Sequence, residues 1–207
     1  AIDSVGLNIG LKLKSDLPSG KIAITGARII TMKGDEVIEN GTIVIDKNKI
    51  VAIGTNVQIP ADAKIINAEG KTIMPGIVDV HGHLHTSPDG VSPQQDWSYY
   101  VNLAYGVTSA HDPSANTEMV FSQSEMLKSG RMVGPRVYST GTILYGADGD
   151  FKAVINSLDD ARSAVRRMKA VGAFSVKSYN QPRREQRQQI IQAARELQME
   201  VVPEGGS

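Results

Sequence analysis

The stretch Thr72-Ile73-Met74-Pro75-Gly76-Ile77-Val78-Asp79-Val80-His81-Gly82-His83-Leu84-His85 decides how the chain is read. Residues 72–80 are nearly continuous apolar sequence, as expected of a strand covered on both faces in a parallel sheet. Three histidines then alternate, and alternate residues on a strand point the same way. His81 and His83 therefore project together beyond the strand, where two imidazoles can converge on zinc, manganese, nickel or iron. A histidine-rich surface turn has the same spacing. The position at the end of a buried strand favours the ligand pair.

Downstream, strand-like and helix-like segments alternate. A helix is expected over 95–104 and a strand over 106–110. Residues 117–128 carry Met119, Val120, Met126 and Leu127 on one side, with Gly130 beyond, and 135–140 reads as a third strand. Ser157-Leu158-Asp159-Asp160 caps the clearest helix, along which Ala161, Ala164, Val165 and Met168 recur at helical spacing before Gly172. A strand at 173–178 follows. Pro182 stands where a first helical residue belongs, ahead of the stripe Ile190, Ala194 and Leu197. A fifth strand starts at Val201-Val202.

Repeated strand–helix units imply a parallel sheet. Five strands and four helices after residue 70 amount to about half of an eight-stranded barrel, which takes ~250 residues. A doubly wound open sheet is the alternative, but its first turn would carry a glycine-rich phosphate loop in place of His81-Gly82-His83. The fold class expected is thus α/β: an incomplete (β/α)8 TIM-type barrel, about its first five strands, over 73–207. Such a half-barrel leaves strand edges open.

Upstream, 1–20 reads as a linker or an irregular edge strand, ending in Asp16-Leu17-Pro18-Ser19-Gly20. From 21 to 68 the pattern is β. The runs 21–24 and 27–31 flank Gly26, and 42–45 and 50–53 flank the turn Asp46-Lys47-Asn48-Lys49. A small sheet or half a sandwich is expected, a β-sandwich segment over 1–72.

Lys+Arg and Asp+Glu balance at 22 each among 207 residues, which argues against a nucleic-acid or anionic-membrane surface. The absence of cysteine excludes thiolate catalysis, Cys-zinc sites and disulfides. No run approaches the ~20 apolar residues of a membrane span. No charged-then-apolar leader opens the chain, whose first residue is Ala1.

Pro75-Gly76-Ile77-Val78-Asp79-Val80-His81-Gly82-His83 resembles the first-strand metal motif of the amidohydrolase superfamily. Ile50-Val51-Ala52-Ile53-Gly54, Ala68-Glu69-Gly70-Lys71-Thr72 and Gly106-Val107-Thr108-Ser109 resemble its N-terminal strands, barrel entry and second strand. The likeness runs from about Lys21 onward. It is closest to the imidazolonepropionase-related branch, and especially to amidohydrolase domains that follow a TolB-like β-propeller. His111-Asp112-Pro113-Ser114, Leu144-Tyr145-Gly146-Ala147-Asp148-Gly149 and Ser178-Tyr179-Asn180-Gln181-Pro182-Arg183-Arg184 look typical of that subgroup.

The resemblance implies a metal-dependent hydrolase that attacks an amide, cyclic amide or related C–N bond through a metal-activated water. It implies one or two divalent ions, zinc foremost, held by His81, His83, Lys177 and Glu204. Lys177, in Ser175-Val176-Lys177-Ser178, would act catalytically as a carbamate bridging two metals; an ordinary lysine whose ammonium reaches solvent is the alternative. Glu204 stands where relatives usually carry a histidine; a carboxylate oxygen can replace that imidazole, and a place behind the ligands or in the loop is the alternative.

Asp112 either orients a ligand histidine or forms a turn before Pro113. His85 and His111 would stand behind the ligands or face substrate. Asp148-Gly149-Asp150 reads as a plain turn, and Arg183, Arg184 and Arg187 as a solvated face or a contact with a partner segment.

The family's later histidine and barrel aspartate are expected beyond residue 207. The partners implied are a small-molecule substrate, the remaining C-terminal part of the barrel, and an N-terminal propeller, with a periplasmic or secreted home by analogy. The rival expectation is a catalytically incomplete fragment, or a metal-binding domain without enzymatic activity.

Overall fold

The computed structural model describes residues 14–84 and 90–205. His85 and the first part of the expected linker lie outside them. The chain first builds one sheet from β1 (Lys21–Ile30), β2 (Val37–Asp46), β3 (Lys49–Gly54), β4 (Ala63–Asn67) and β5 (Thr72–Ile73). Their order is β3-β2-β1-β4, with β5 also pairing β1. The expected turn joins β2 to β3, with Asp46 opposite Lys49. The two runs flanking Gly26 form one strand rather than two. The register against β2 shifts between Ile24 and Ala27, so a bulge absorbs the irregularity. Ala27, Ile29, Ile43 and Ala68 form the core on one face. Among the described residues this sheet is a single layer, without the second layer of a sandwich.

The apolar run at 72–80 divides. Thr72-Ile73 closes the first sheet against Arg28-Ile29, Pro75 interrupts pairing for want of an N–H, and β6 (Ile77–Asp79) begins the second half. There follow α1 (Trp97–Ala104), β7 (Val107–Asp112), α2 (Thr117–Lys128), β8 (Arg136–Ser139), β9 (Ile143–Tyr145), β10 (Lys152–Val154), α3 (Leu158–Ala170), β11 (Ser175–Ser178), α4 (Arg184–Glu196) and β12 (Glu200–Pro203). Asp96, Asn116 and Ser157 accept the first free N–H groups of α1, α2 and α3. Helix α4 starts at Arg184, two residues later than Pro182 suggests. The Gln186 side chain reaches back to the Arg183 N–H at 3.0 Å and fixes the start there.

The strands pair in parallel as β6-β7-β8 and as β10-β9-β11-β12. The outward faces bury two cores. Tyr99, Ala110, Val120 and Val137 belong to that of α1 and α2, and Leu144, Val165, Val176 and Ile190 to that of α3 and α4. Strand alternation turns Val78, Val80, Tyr138 and Val202 the other way. With Phe174 they line an open apolar groove of about 470 Å³, and Val80 is 74% exposed. The first barrel strand is therefore not covered on both faces, contrary to the expectation from its apolar sequence. No helix among the described residues is long and apolar enough to cross a membrane.

Candidate metal centre

The turn after β6 is shaped by short polar contacts. Asp79 Oδ1 accepts the His81 N–H at 3.0 Å, and the Gly82 N–H donates to the His111 carbonyl at 3.0 Å. A Cβ at Gly82 would stand 2.6 Å from Asp79 Oδ2, so only glycine lets this carboxylate close the turn. The His81 and His83 rings lie 5.5 Å apart, edge to face. His83 Nδ1 is 3.3 Å from Asp112 Oδ1. Asp112 is buried, and its two oxygens also accept the N–H groups of Leu84 and Ser114, each at 3.2 Å. It forms the turn and holds the histidine at once. With Nδ1 engaged by a carboxylate, Nε2 of His83 is the nitrogen left to bind a cation.

On β11, Lys177 lies in register between Ile143 and Val202 and is 0% exposed. Its Nζ forms an ion pair with the Glu204 carboxylate and has no other polar partner among the described residues. Glu204 follows β12, and its N–H donates to the Ser178 carbonyl at 3.0 Å. The Lys177 ammonium holds the Glu204 carboxyl below the usual carboxylate range, helped by the imidazoles of His81 and His83. His83 and Glu204 both line a groove of about 480 Å³ at the strand ends, with Ser114, Lys152 and Tyr179.

His111 ties the two sides together. Its Nε2 stands 2.9 Å from Ser175 Oγ, across the junction between the two sheets. Burial pushes its pKa below the ordinary histidine value, so the neutral ring is favoured. His85 lies outside the described residues. Asp148-Gly149-Asp150 is a turn, with the Lys152 N–H donating to the Gly149 carbonyl at 3.2 Å.

Among the described residues, no three His, Asp or Glu side chains converge as a ready cluster. The fit for a divalent cation rests on donor chemistry: two adjacent imidazoles, one carboxylate and a buried lysine amine. A carbamate on Lys177 would face the Glu204 carboxylate, two anions that only a nearby cation can neutralise.

Two residues escape the sequence reading. Ser175 precedes Lys177 by two and shares its face, which strand alternation could have flagged. Arg187 points inward rather than to solvent, donating to the carbonyls of Tyr179, Glu204 and Gly205. Its spacing to Ile190 and Ala194 places it on the buried stripe.

No family model matches the chain. It is similar to the imidazolonepropionase of Vibrio cholerae, 37% identical over 65 residues, which cover 30% of this chain and 16% of that protein. It is also similar to the dihydroorotase of Syntrophotalea carbinolica, 26% identical over 145 residues, covering 68% and 34%. Among solved structures, an Xaa-Pro dipeptidase with methionine bound in its active site superimposes with a TM-score of 0.69 at 23% identity. That match covers 88% of this chain and 56% of the dipeptidase, and the likeness is one of fold. The chain thus spans 16% and 34% of the length of these two curated relatives. These comparisons support the amidohydrolase superfamily.

Proposed function

We propose that this chain, whose relatives and structural neighbours are amidohydrolase enzymes, carries the metal-binding half of a hydrolase that opens an amide, cyclic amide or related C–N bond. His81 and His83 from the turn after β6, Lys177 from β11 and Glu204 after β12 would hold one or two divalent ions, zinc foremost. Such an ion supplies Lewis acidity and lowers the pKa of a bound water towards neutrality.

The chain's own residues prepare that chemistry. Asp112 fixes the His83 ring through Nδ1. Lys177, in the catalytic role, would become a ligand by adding its neutral amine to carbon dioxide: the N–C bond forms as a C=O π pair moves to oxygen, and the amine proton passes to water, leaving a carbamate. Glu204 then turns from the lysine to the cation. The groove between His83 and Glu204 receives the small-molecule substrate, and His111 braces the strands beneath it.

The apolar groove and the free edges of β6 and β12 support a barrel completed by its remaining strands, which would bring the later histidine and the aspartate base. The division into an N-terminal β segment over 1–72 and a barrel over 73–207 belongs to the same reading.

One observation carries it: a fully buried lysine, paired only with a carboxylate, at the strand ends that also present two imidazoles. The test is elemental analysis of native, unchelated protein beside the His81→Ala/His83→Ala variant. Near-stoichiometric transition metal, lost in the variant, is the expected result. Folded, metal-free protein that takes up no zinc on addition would overturn the reading.

A further inference from the structure

Arg187 lies in the first turn of α4, and its guanidinium turns towards the strand ends. Nη2 donates to the carbonyls of Tyr179 at 3.0 Å and Glu204 at 2.8 Å, and Nη1 to that of Gly205 at 3.1 Å. Those carbonyls lie just beyond β11 and β12, the strands from which Lys177 and Glu204 reach the site. Nε is buried without a hydrogen-bond partner. Among the described residues no carboxylate pairs with this half-buried cation, and its hydrogen bonds go to backbone carbonyls. A planar fork with several donors can clamp two segments at once, which a lysine ammonium on its flexible stem cannot reproduce.

We propose that Arg187 is a positioning residue for the metal centre. It holds the backbone of Glu204 and Gly205 against the end of β11, and so sets where the Glu204 carboxylate stands relative to Lys177, His81 and His83. The inference rests on the reading of Glu204 as a ligand. It adds that the ligand's place is fixed from α4, a helix that contributes no ligand itself.

The test titrates cobalt(II) into the intact protein, followed by its visible absorption and by calorimetry. The variants are Arg187→Met, Arg187→Ala, Arg187→Lys, Glu204→Ala and Arg187→Met/Glu204→Ala, with circular dichroism verifying the fold. Arg187→Met should bind cobalt about 10–100-fold more weakly, the range seen when a group that orients a ligand is removed. Arg187→Lys should recover only a minor part. Millimolar methylguanidinium should restore the Arg187→Ala variant, whereas methylammonium should not. Arg187→Met should cost nothing further once Glu204 is gone, because both act through one carboxylate. Amide exchange at 204 and 205 should quicken in Arg187→Met.

A folded Arg187→Met variant that binds cobalt like wild type overturns the proposal, and so do additive losses in the double variant. If Glu204→Ala binds cobalt as tightly as wild type, the ligand reading of Glu204 fails instead. Exchange then decides for Arg187 alone: unchanged protection at 204 and 205 overturns its clamping role, and faster exchange upholds it.

Discussion

On the β6–β7 side of the site, His81 and His83 sit in a turn tied to Asp79, to the His111 carbonyl and to the buried Asp112. On the β11–β12 side, Lys177 and Glu204 neutralise each other, one side chain 0% and the other 41% exposed. The first side is prepared in advance: the His83 ring is oriented by Asp112, and under the proposed function nothing would need to be undone for a cation to arrive. The second is self-compensated, and in the proposed function its ion pair would have to be exchanged for contacts with a cation. Prepared geometry and stored charge are thus divided between two sheets.

The largest expected effect breaks the second side. Glu204→Ala leaves a buried ammonium without a counter-charge, which costs about 3 kcal/mol of stability. Lys177→Met leaves only a carboxylate that can turn to solvent, and should be nearly neutral. Urea unfolding measures both. Equal costs would show that the pair is not asymmetric and that the contrast is mistaken.

The next prediction concerns the prepared side. Asp112→Asn withdraws the charge behind His83 and, because an amide NH2 cannot accept, also gives up one of the bonds from the Leu84 and Ser114 N–H groups; it should weaken zinc binding about 10–100-fold with little change in far-ultraviolet dichroism. Unchanged affinity would mean that His83 needs no orienting partner. Gly82→Ala should follow, at about 1 kcal/mol, because the new Cβ meets the Asp79 carboxylate at 2.6 Å. Replacing Asp79 by the smaller Ser should relieve that clash, and failure of the rescue would place the strain elsewhere.

The smallest effect is a slope with pH. The folded state holds His111 below its ordinary pKa of 6.5. The unfolded chain therefore binds the proton first as pH falls through about 6.5. Stability from the neutral ring is fully present above that value and is lost towards the lower folded pKa, beyond which the slope vanishes. Urea midpoints between pH 7.5 and about 5 should fall more steeply for wild type than for His111→Phe. Parallel curves would remove His111 from the account.

The parts of this arrangement legible in the sequence are those encoded locally. The apolar stripe of α3, with Ser157 before it, gives that helix almost to the residue. The histidine alternation after an apolar run gives the turn that sets the His81 and His83 rings side by side. Lys177 falls where a strand ends. Pairings that depend on register are not legible. Lys177 meets Glu204 because Ser178 stands opposite Pro203, a fact no single strand contains. Strands β9 and β10 have three residues each, too few to show a period, in a stretch interrupted by Gly146 and Gly149. The bulge at Ile24–Ala27 hides a continuous strand behind a glycine.

The seam between the two barrel sheets has one more consequence. Among the described residues β8 pairs only with β7 and β11 only with β9 and β12, so no strand ladder crosses where the wall passes from Ser139 to Ile143. A ladder resists bending cooperatively; a seam does not. His81 and His83 stand at the end of one sheet, Lys177 and Glu204 at the end of the other. What joins the two pairs is side-chain contact and not a continuous ladder: the His111–Ser175 bond on the inner side and Phe121, packed against both cores, on the outer.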